Sequence, residues 1–183
     1  ALLVITGIGV ADDAHELSHR SKFVAQAIGA GIIVSGTSVW VQGLGDLFGL
    51  GLIDLGKWSI LVTVISIIGV MNAINMIDGL DGLAGSISLG PVAILAWLAL
   101  TDGQFGLAYE LVLLAGAIVG FLVLNLRLPG RVRALLFMGD TGGMIIGMLL
   151  AWYSLKLGGS STTAIQPITA VWVLAIPLLD MGG

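Results

Sequence analysis

The chain has 183 residues, 57% of them hydrophobic and 10% charged, with a mean hydropathy of +1.09; soluble domains carry about 25% charged residues, so this is an integral membrane protein. Eleven acids against seven bases leave a net charge of -4, and without a basic arm, zinc-ligand spacing or aromatic-basic interleaving, nucleic acid is excluded as a partner. Cysteine is absent, which excludes disulfides.

A helix that crosses the ~30 Å hydrocarbon core needs about 20 apolar residues. The opening run, ALLVITGIGVA, is shorter than that and has neither a starting methionine nor a basic leader, so it reads as the tail of a truncated span in a fragment of a longer protein. Asp12 and Asp13 follow, and as neighbours at the mouth of a span they repel one another unless a cation offsets the charge. His15 and His19 have no metal-site spacing and read as solvated. Lys22 stands at the entry to the next span, where its ammonium either meets a phosphate or snorkels to the interface.

The first full span is predicted over residues 23 to 41. The glycine-rich connector from 42 to 57 alternates weakly and reads as a short hairpin on the membrane surface, with Asp46 and Asp54 solvated. A second span covers 58 to 77 and ends in NAINMIDGLDGLAG. There Asn72, Asn75 and Asp78 recur every three residues, so a continuing helix puts them in one polar stripe that must face protein, water or ligand. Gly79 and Gly82 break the helix, and Asp81 is predicted to cap the span that begins near Leu83.

Further spans are predicted over 83 to 100, 106 to 126 and 141 to 157, giving five complete crossings, with the short run at 164 to 179 a second partial one. Glu110 near a span start has no assigned function. The segment NLRLPGRVR supplies Asn125 with Arg127, Arg131 and Arg133, which act as topology anchors or phosphate partners. Asp140 in LFMGDTGGMIIG precedes a helix and reads either as its N-cap or as a carboxylate that holds a metal-bound phosphate at the helix start. The 28 glycines suit close helix packing in lipid.

Simple alternation of the spans brings 12 to 22, 78 to 82, 127 to 140 and Asp180 to one face. That face holds Arg20, Lys22, Arg127, Arg131 and Arg133 against Lys57 and Lys156 on the other, which makes it cytoplasmic by the positive-inside rule. Six aspartates, Asp12, Asp13, Asp78, Asp81, Asp140 and Asp180, therefore gather at one membrane surface. An oxygen-rich cluster with no His or Cys set suits Mg²⁺, with Mn²⁺ a substitute, better than zinc.

Three motifs in order, ADDAHELSHRSKFVAQ, NAINMIDGLDGLAG and FMGDTGG, together resemble the polyprenyl-phosphate N-acetylhexosamine-1-phosphate transferase family, nearest its bacterial undecaprenyl-phosphate N-acetylglucosamine branch. The resemblance covers nearly the whole chain. It implies an all-α, polytopic membrane helix bundle, of which residues 1–183 are a single catalytic-domain fragment lacking the early helices and the C-terminal part. It also implies Mg²⁺-dependent transfer of a sugar 1-phosphate, most simply N-acetylglucosamine 1-phosphate, from a UDP-N-acetylhexosamine to a polyprenyl phosphate. UMP is released at the cytoplasmic face of the bacterial inner membrane, the product serves cell-envelope polysaccharides such as lipopolysaccharide or teichoic acid, and a homodimer is compatible with the family.

By the matching motifs, Asp12, Asp13 and Asp140 are the catalytic carboxylates, one of the pair a candidate base for the lipid phosphate. Asp140, Asp13 and Asn75 are the candidate metal ligands. Lys22, Asn72, Asn75, Asp78, Asp81 and Asn125 fall at the substrate cleft, and Phe137 matches an aromatic that stacks on uracil. Asp180 matches a family aspartate without an assigned role. One departure stands out: the family usually has serine where this chain has Gly143, so that hydroxyl's phosphate contact is missing. The main alternative from another class is a secondary transporter, whose glycine-broken spans would carry their polar groups near the midplane, whereas here the acids gather at one end.

Overall fold

The computed structural model describes residues 1–15, 17–44, 53–127 and 133–158, with Thr169, Val173 to Ala175 and Leu179. Among these residues the chain is all-α: α1 (Leu2–His15), α2 (His19–Thr37), α3 (Ser59–Ile77), α4 (Leu83–Thr101), α5 (Phe105–Asn125) and α6 (Gly139–Gly158), with one 3-10 turn, Gly56–Trp58, leading into α3. The helices are apolar nearly all round, as expected of segments solvated by lipid and by each other. Three segments, Gly56–Ile77, α4 and α5, are long and apolar enough to cross a membrane. α2 and α6 match the other two expected crossings in length, but each opens with a polar first turn, HRSK in α2 and GDT in α6.

The ends of the helices follow local chemistry. Ser18 caps α2, its hydroxyl accepting from the Ser21 amide at 3.3 Å. The helix stops at Thr37 rather than running to residue 41, because Ser38 turns left-handed with φ 53°. The connector after α2 makes the expected hairpin in part: Gly43 and Asp54 form an antiparallel bridge, with Leu44 N–H donating to Ile53 O at 3.0 Å and Leu55 N–H to Gln42 O at 3.0 Å. Asp46 lies outside the described residues. Asp54 has a structural task as well as solvent, since its carboxylate accepts from the Gly56 amide at 2.9 Å and starts the turn into α3.

Two expectations at helix ends fail. α1 runs about one turn past the apolar stretch, to His15, so Asp12 and Asp13 belong to a helix and not to a loop. Asp81 does not cap α4; the residue at that position is Gly82, held at φ 82° with no side-chain cap, while Asp81 pairs with Arg127 Nε at 2.6 Å.

α6 lies at the centre of the bundle, against α1, α3 and α4, while α2 packs on α1 and α3, and α5 on α4. Its closest seam is with α3. A Cβ built on Gly147 would meet Met71 Cα at 2.6 Å and Val70 O at 2.9 Å, and one on Gly143 would meet Asn75 Oδ1 at 2.7 Å and Asn75 Cα at 3.0 Å. The pair is a small-xxx-small motif that lets two backbones touch. It also accounts for the departure at position 143, because a serine Cβ has no room at this helix separation. Around the seam Met71, Ile74, Met144, Met148 and Leu150 are fully buried.

Candidate active site

Four helix ends, of α1, α2, α3 and α6, converge at one end of the bundle. Adjacent residues on a helix point about 100° apart, so Asp12 and Asp13 take different partners although both line the same pocket. Asp12 is buried, 3% exposed, and its carboxylate meets Lys22 Nζ at 2.5 Å and the Leu17 amide at 2.8 Å. Asp13 is exposed and reaches α6: its Oδ1 accepts from the Asp140 amide at 2.9 Å, and its Oδ2 accepts from the Thr141 hydroxyl at 2.6 Å. That carboxylate takes two of the orphan N–H groups of α6, those of Asp140 and Thr141, and sits at its positive dipole end. Gly139, at φ 64°, allows the approach, since a Cβ there would lie 2.8 Å from Asp13 Oδ2.

Asp140 is therefore not the cap of its own helix. Its carboxylate is gripped by Lys22 Nζ and accepts from Asn75 Nδ2 at 3.3 Å. Lys22 thus lies between two carboxylates from two helices. An open pocket of about 490 Å³ is lined by Asp12, Asp13, Leu17, Ser18, His19, Lys22 and Asp140. The structure brings together Asp12, Asp13, Lys22, Asn75 and Asp140 of the expected set.

Asn72 stands one turn deeper, its amide paired with Gln26. Asn125 is buried and holds two loops: its Oδ1 accepts from the Gly82 amide at 2.6 Å and its Nδ2 donates to Leu136 O at 2.7 Å. With Leu135 N–H donating to Leu124 O at 2.9 Å, that side chain joins the turn after α3 to the segment before α6. Phe137, in the tied segment, is 74% exposed. Arg131 and Asp180 lie outside the described residues, and Arg127 is engaged by Asp81.

His19 and Gln26 are the residues that sequence reasoning missed. His19 lines the pocket beside Lys22, and the signal available was its place in the same polar turn. Gln26 lies four residues beyond Lys22, and the available signal was an amide inside an apolar span.

Asp78 ends α3 and is half-buried. Burial pushes its carboxyl up from 3.8 to about 6, and the neighbouring Asp140 and Asp81 charges add to the shift. The folded metal-free chain then keeps a proton that the unfolded chain has lost, so its stability falls as pH rises through the interval between those two values. Asp78→Asn, which cannot ionise, should share the wild-type thermal midpoint in detergent near the lower end of that interval and exceed it at neutral pH, by on the order of 1 to 2 kcal/mol. Parallel pH profiles for the two proteins would contradict this reading.

The oxygens at this end are of the kind a divalent ion takes. Asn75 Oδ1 is buried with no hydrogen-bond partner, and Asp12 Oδ2 is likewise without one apart from its ion pair. Among the described residues no group of three or more His, Cys, Asp or Glu side chains is placed to hold a metal, so the protein would offer two carboxylates and an amide oxygen. That is the partial, oxygen-only shell Mg²⁺ uses when phosphates supply the rest. Asp13, expected among the ligands, has both oxygens engaged by α6, and Asp12 takes the inward position.

A family model described as glycosyl transferase family 4 matches residues 1–158. The undecaprenyl-phosphate alpha-N-acetylglucosaminyl 1-phosphate transferase of Salmonella typhi is 35% identical over 178 residues, covering 97% of this chain and 48% of that protein. The protein of the same name from Haemophilus influenzae is 36% identical over 181 residues, with 99% and 51% covered. That from Escherichia coli strain K12 is 36% identical over 179 residues, with 97% and 48% covered. The chain spans about half the length of the curated relatives it matches.

Proposed function

Since the chain belongs to glycosyl transferase family 4, we propose that it carries the phosphate-handling centre of an enzyme that transfers N-acetylhexosamine 1-phosphate, N-acetylglucosamine 1-phosphate by the names of its relatives, from a UDP-sugar to undecaprenyl phosphate. The observation that carries the reading is the meeting of Asp12, Lys22, Asn75 and Asp140 from four helices at one end of the bundle. A lipid phosphate is confined to the membrane surface and a nucleotide sugar arrives from water, so the reaction belongs at that boundary. The excess of arginine and lysine on the connectors at that end supports the cytoplasmic face of a bacterial inner membrane.

In the reaction, an oxygen of the lipid phosphate bonds to the sugar-bearing phosphorus of the donor. The bridging P–O bond breaks, and its electron pair leaves with UMP. Such a transfer asks chiefly for alignment and charge neutralisation. Asp140, Asn75 and Asp12 would hold Mg²⁺, which when bound neutralises the donor's phosphate oxygens. Lys22 supplies a fixed positive charge beside them. Asp13 holds the start of α6, and with it Asp140, in place. Asn125 ties the Asp78 turn to the segment that presents Phe137 to the uracil ring.

The test is UMP release by the full-length protein given UDP-N-acetylglucosamine, undecaprenyl phosphate and Mg²⁺, with a matched lipid diphosphate product. Omission of Mg²⁺ or of the lipid should return the signal to background. Uptake of labelled substrate into vesicles without UMP release would instead support a transporter.

A further inference from the structure

We propose that Gln26 and Asn72 form an amide bracket that sets the register of α2 against α3 and thereby holds Lys22 on Asp12 and Asp140; both are positioning residues for the transfer proposed above, and the inference rests on that reading. Gln26 is 2% exposed. Its Nε2 donates to Asn72 Oδ1 at 3.2 Å, and Asn72 Nδ2 donates back to Gln26 Oε1 at 2.8 Å and to Ile68 O at 2.9 Å. The two amides are turned toward each other, and neither lines the pocket.

Their placement gives the bracket its purpose. Gln26 is one helical turn beyond Lys22, and Asn72 is one turn before Asn75, and it is Lys22 and Asn75 that meet on Asp140. The buried residues flanking Gln26 on α2 are Ala25, Gly29 and Ala30, with the larger Ile33 and Val34 only towards the far end of the helix. The small side chains around Gln26 offer little relief, so near the site apolar packing specifies the register of α2 on α3 only weakly. Paired amides are directional and permit one register. A pair of leucines would fill the same space without unmet hydrogen bonds, so packing by itself does not call for two amides inside a membrane. Lys22 reaches its carboxylates from the end of a flexible stem, and a shift of α2 moves that ammonium off both.

The experiment uses the full-length protein and compares Gln26→Leu, Asn72→Leu, the double leucine variant and the swapped pair Gln26→Asn with Asn72→Gln. Each single leucine variant should lower kcat about 10- to 100-fold, as for reacting groups displaced by an ångström, with KM for the UDP-sugar unchanged. The double variant should stay as low as the singles, and the swapped pair should recover most of the wild-type rate. In parallel, acylation of Lys22 by an amine reagent, followed by peptide mass spectrometry, should rise severalfold in the leucine variants and not in the swapped pair.

Recovery in the double variant would mean that only an unpaired amide was at fault, and would overturn the proposal. So would a raised KM for Asn72→Leu with Gln26→Leu silent, which marks a substrate contact, or Lys22 labelling that does not change. If the wild type releases no UMP, the functional reading fails, and the labelling still decides the bracket. Gln26→Met replaces Gln26→Leu if the latter does not purify as a folded protein.

Discussion

Asp140→Asn should reduce UMP release by at least about 100-fold while leaving the protein inserted, monodisperse and folded. The magnitude is that seen when one preorganised electrostatic group is removed from a charged transition state. Asp140 is the residue on which Lys22 and Asn75 converge, so a neutral amide there removes the charge that draws the ammonium across from α2 and removes a carboxylate from the proposed metal shell. Asparagine nearly matches aspartate in shape, and Asp13 bonds to the backbone amide of residue 140, a contact the substitution leaves intact. The fold should therefore survive. Turnover near the wild-type level across a Mg²⁺ titration would show that Asp140 is not at the reacting phosphates.

Gly147→Leu should have the larger effect on stability. The nearest atoms to a Cβ at this position are Met71 Cα and Val70 O, at 2.6 and 2.9 Å. Both are backbone, so no rotamer change relieves the overlap and α6 must move away from α3. Overpacking of a tight core typically costs about 1 to 3 kcal/mol, and a rigid backbone opposite puts this case at or above the top of that range. The expected result is loss of monodisperse protein in detergent, or a thermal midpoint lowered by many degrees with activity lost. Met71→Ala should not rescue it, since the clash is not with the methionine side chain. Gly85→Ala is the control: its Cβ would meet the Leu122 side chain at 2.8 Å, a flexible group that can turn aside, and the variant should stay folded. Equal behaviour of the two variants would mean that the α3–α6 seam is looser than described.

Much of this architecture could be read from residues alone. Long apolar runs gave helix positions within a few residues, because in lipid the backbone must bond to itself and leaves few other choices. The motif residues Asp12, Lys22, Asn75 and Asp140 could be singled out because ionisable or amide groups are rare in such runs. What could not be read was which helix each polar group would meet. The three-residue spacing of Asn72 and Asn75 shows that they share a face, but only the packing shows that α2 covers one and α6 the other. The same limit applies to Asp12 and Asp13, whose adjacency says nothing of their partners: α1 proved one turn longer and turns one to Lys22 and the other to the start of α6. Asp81 had the composition of an N-cap, yet Arg127, distant in sequence, competes for it. Asn125 lies in the right neighbourhood for a cleft residue, and its role as a tie between two loops depends on backbone atoms that no motif specifies.

The central place of α6 bears on how the chain is made. Synthesis delivers the N-terminal segments first, so α1, α3 and α4 must wait in the membrane before the helix they pack against emerges. During that wait Asp13 has no helix start to hold and Asn75 has no carboxylate to meet. These groups stand at the ends of their helices, where interfacial water can serve them. The deeper amides, Gln26 and Asn72, pair within α2 and α3 and do not depend on α6. A half-made chain can therefore pause on the ribosome with no polar side chain of this set stranded in lipid, and the cluster is complete only when α6 brings Asp140 to Lys22.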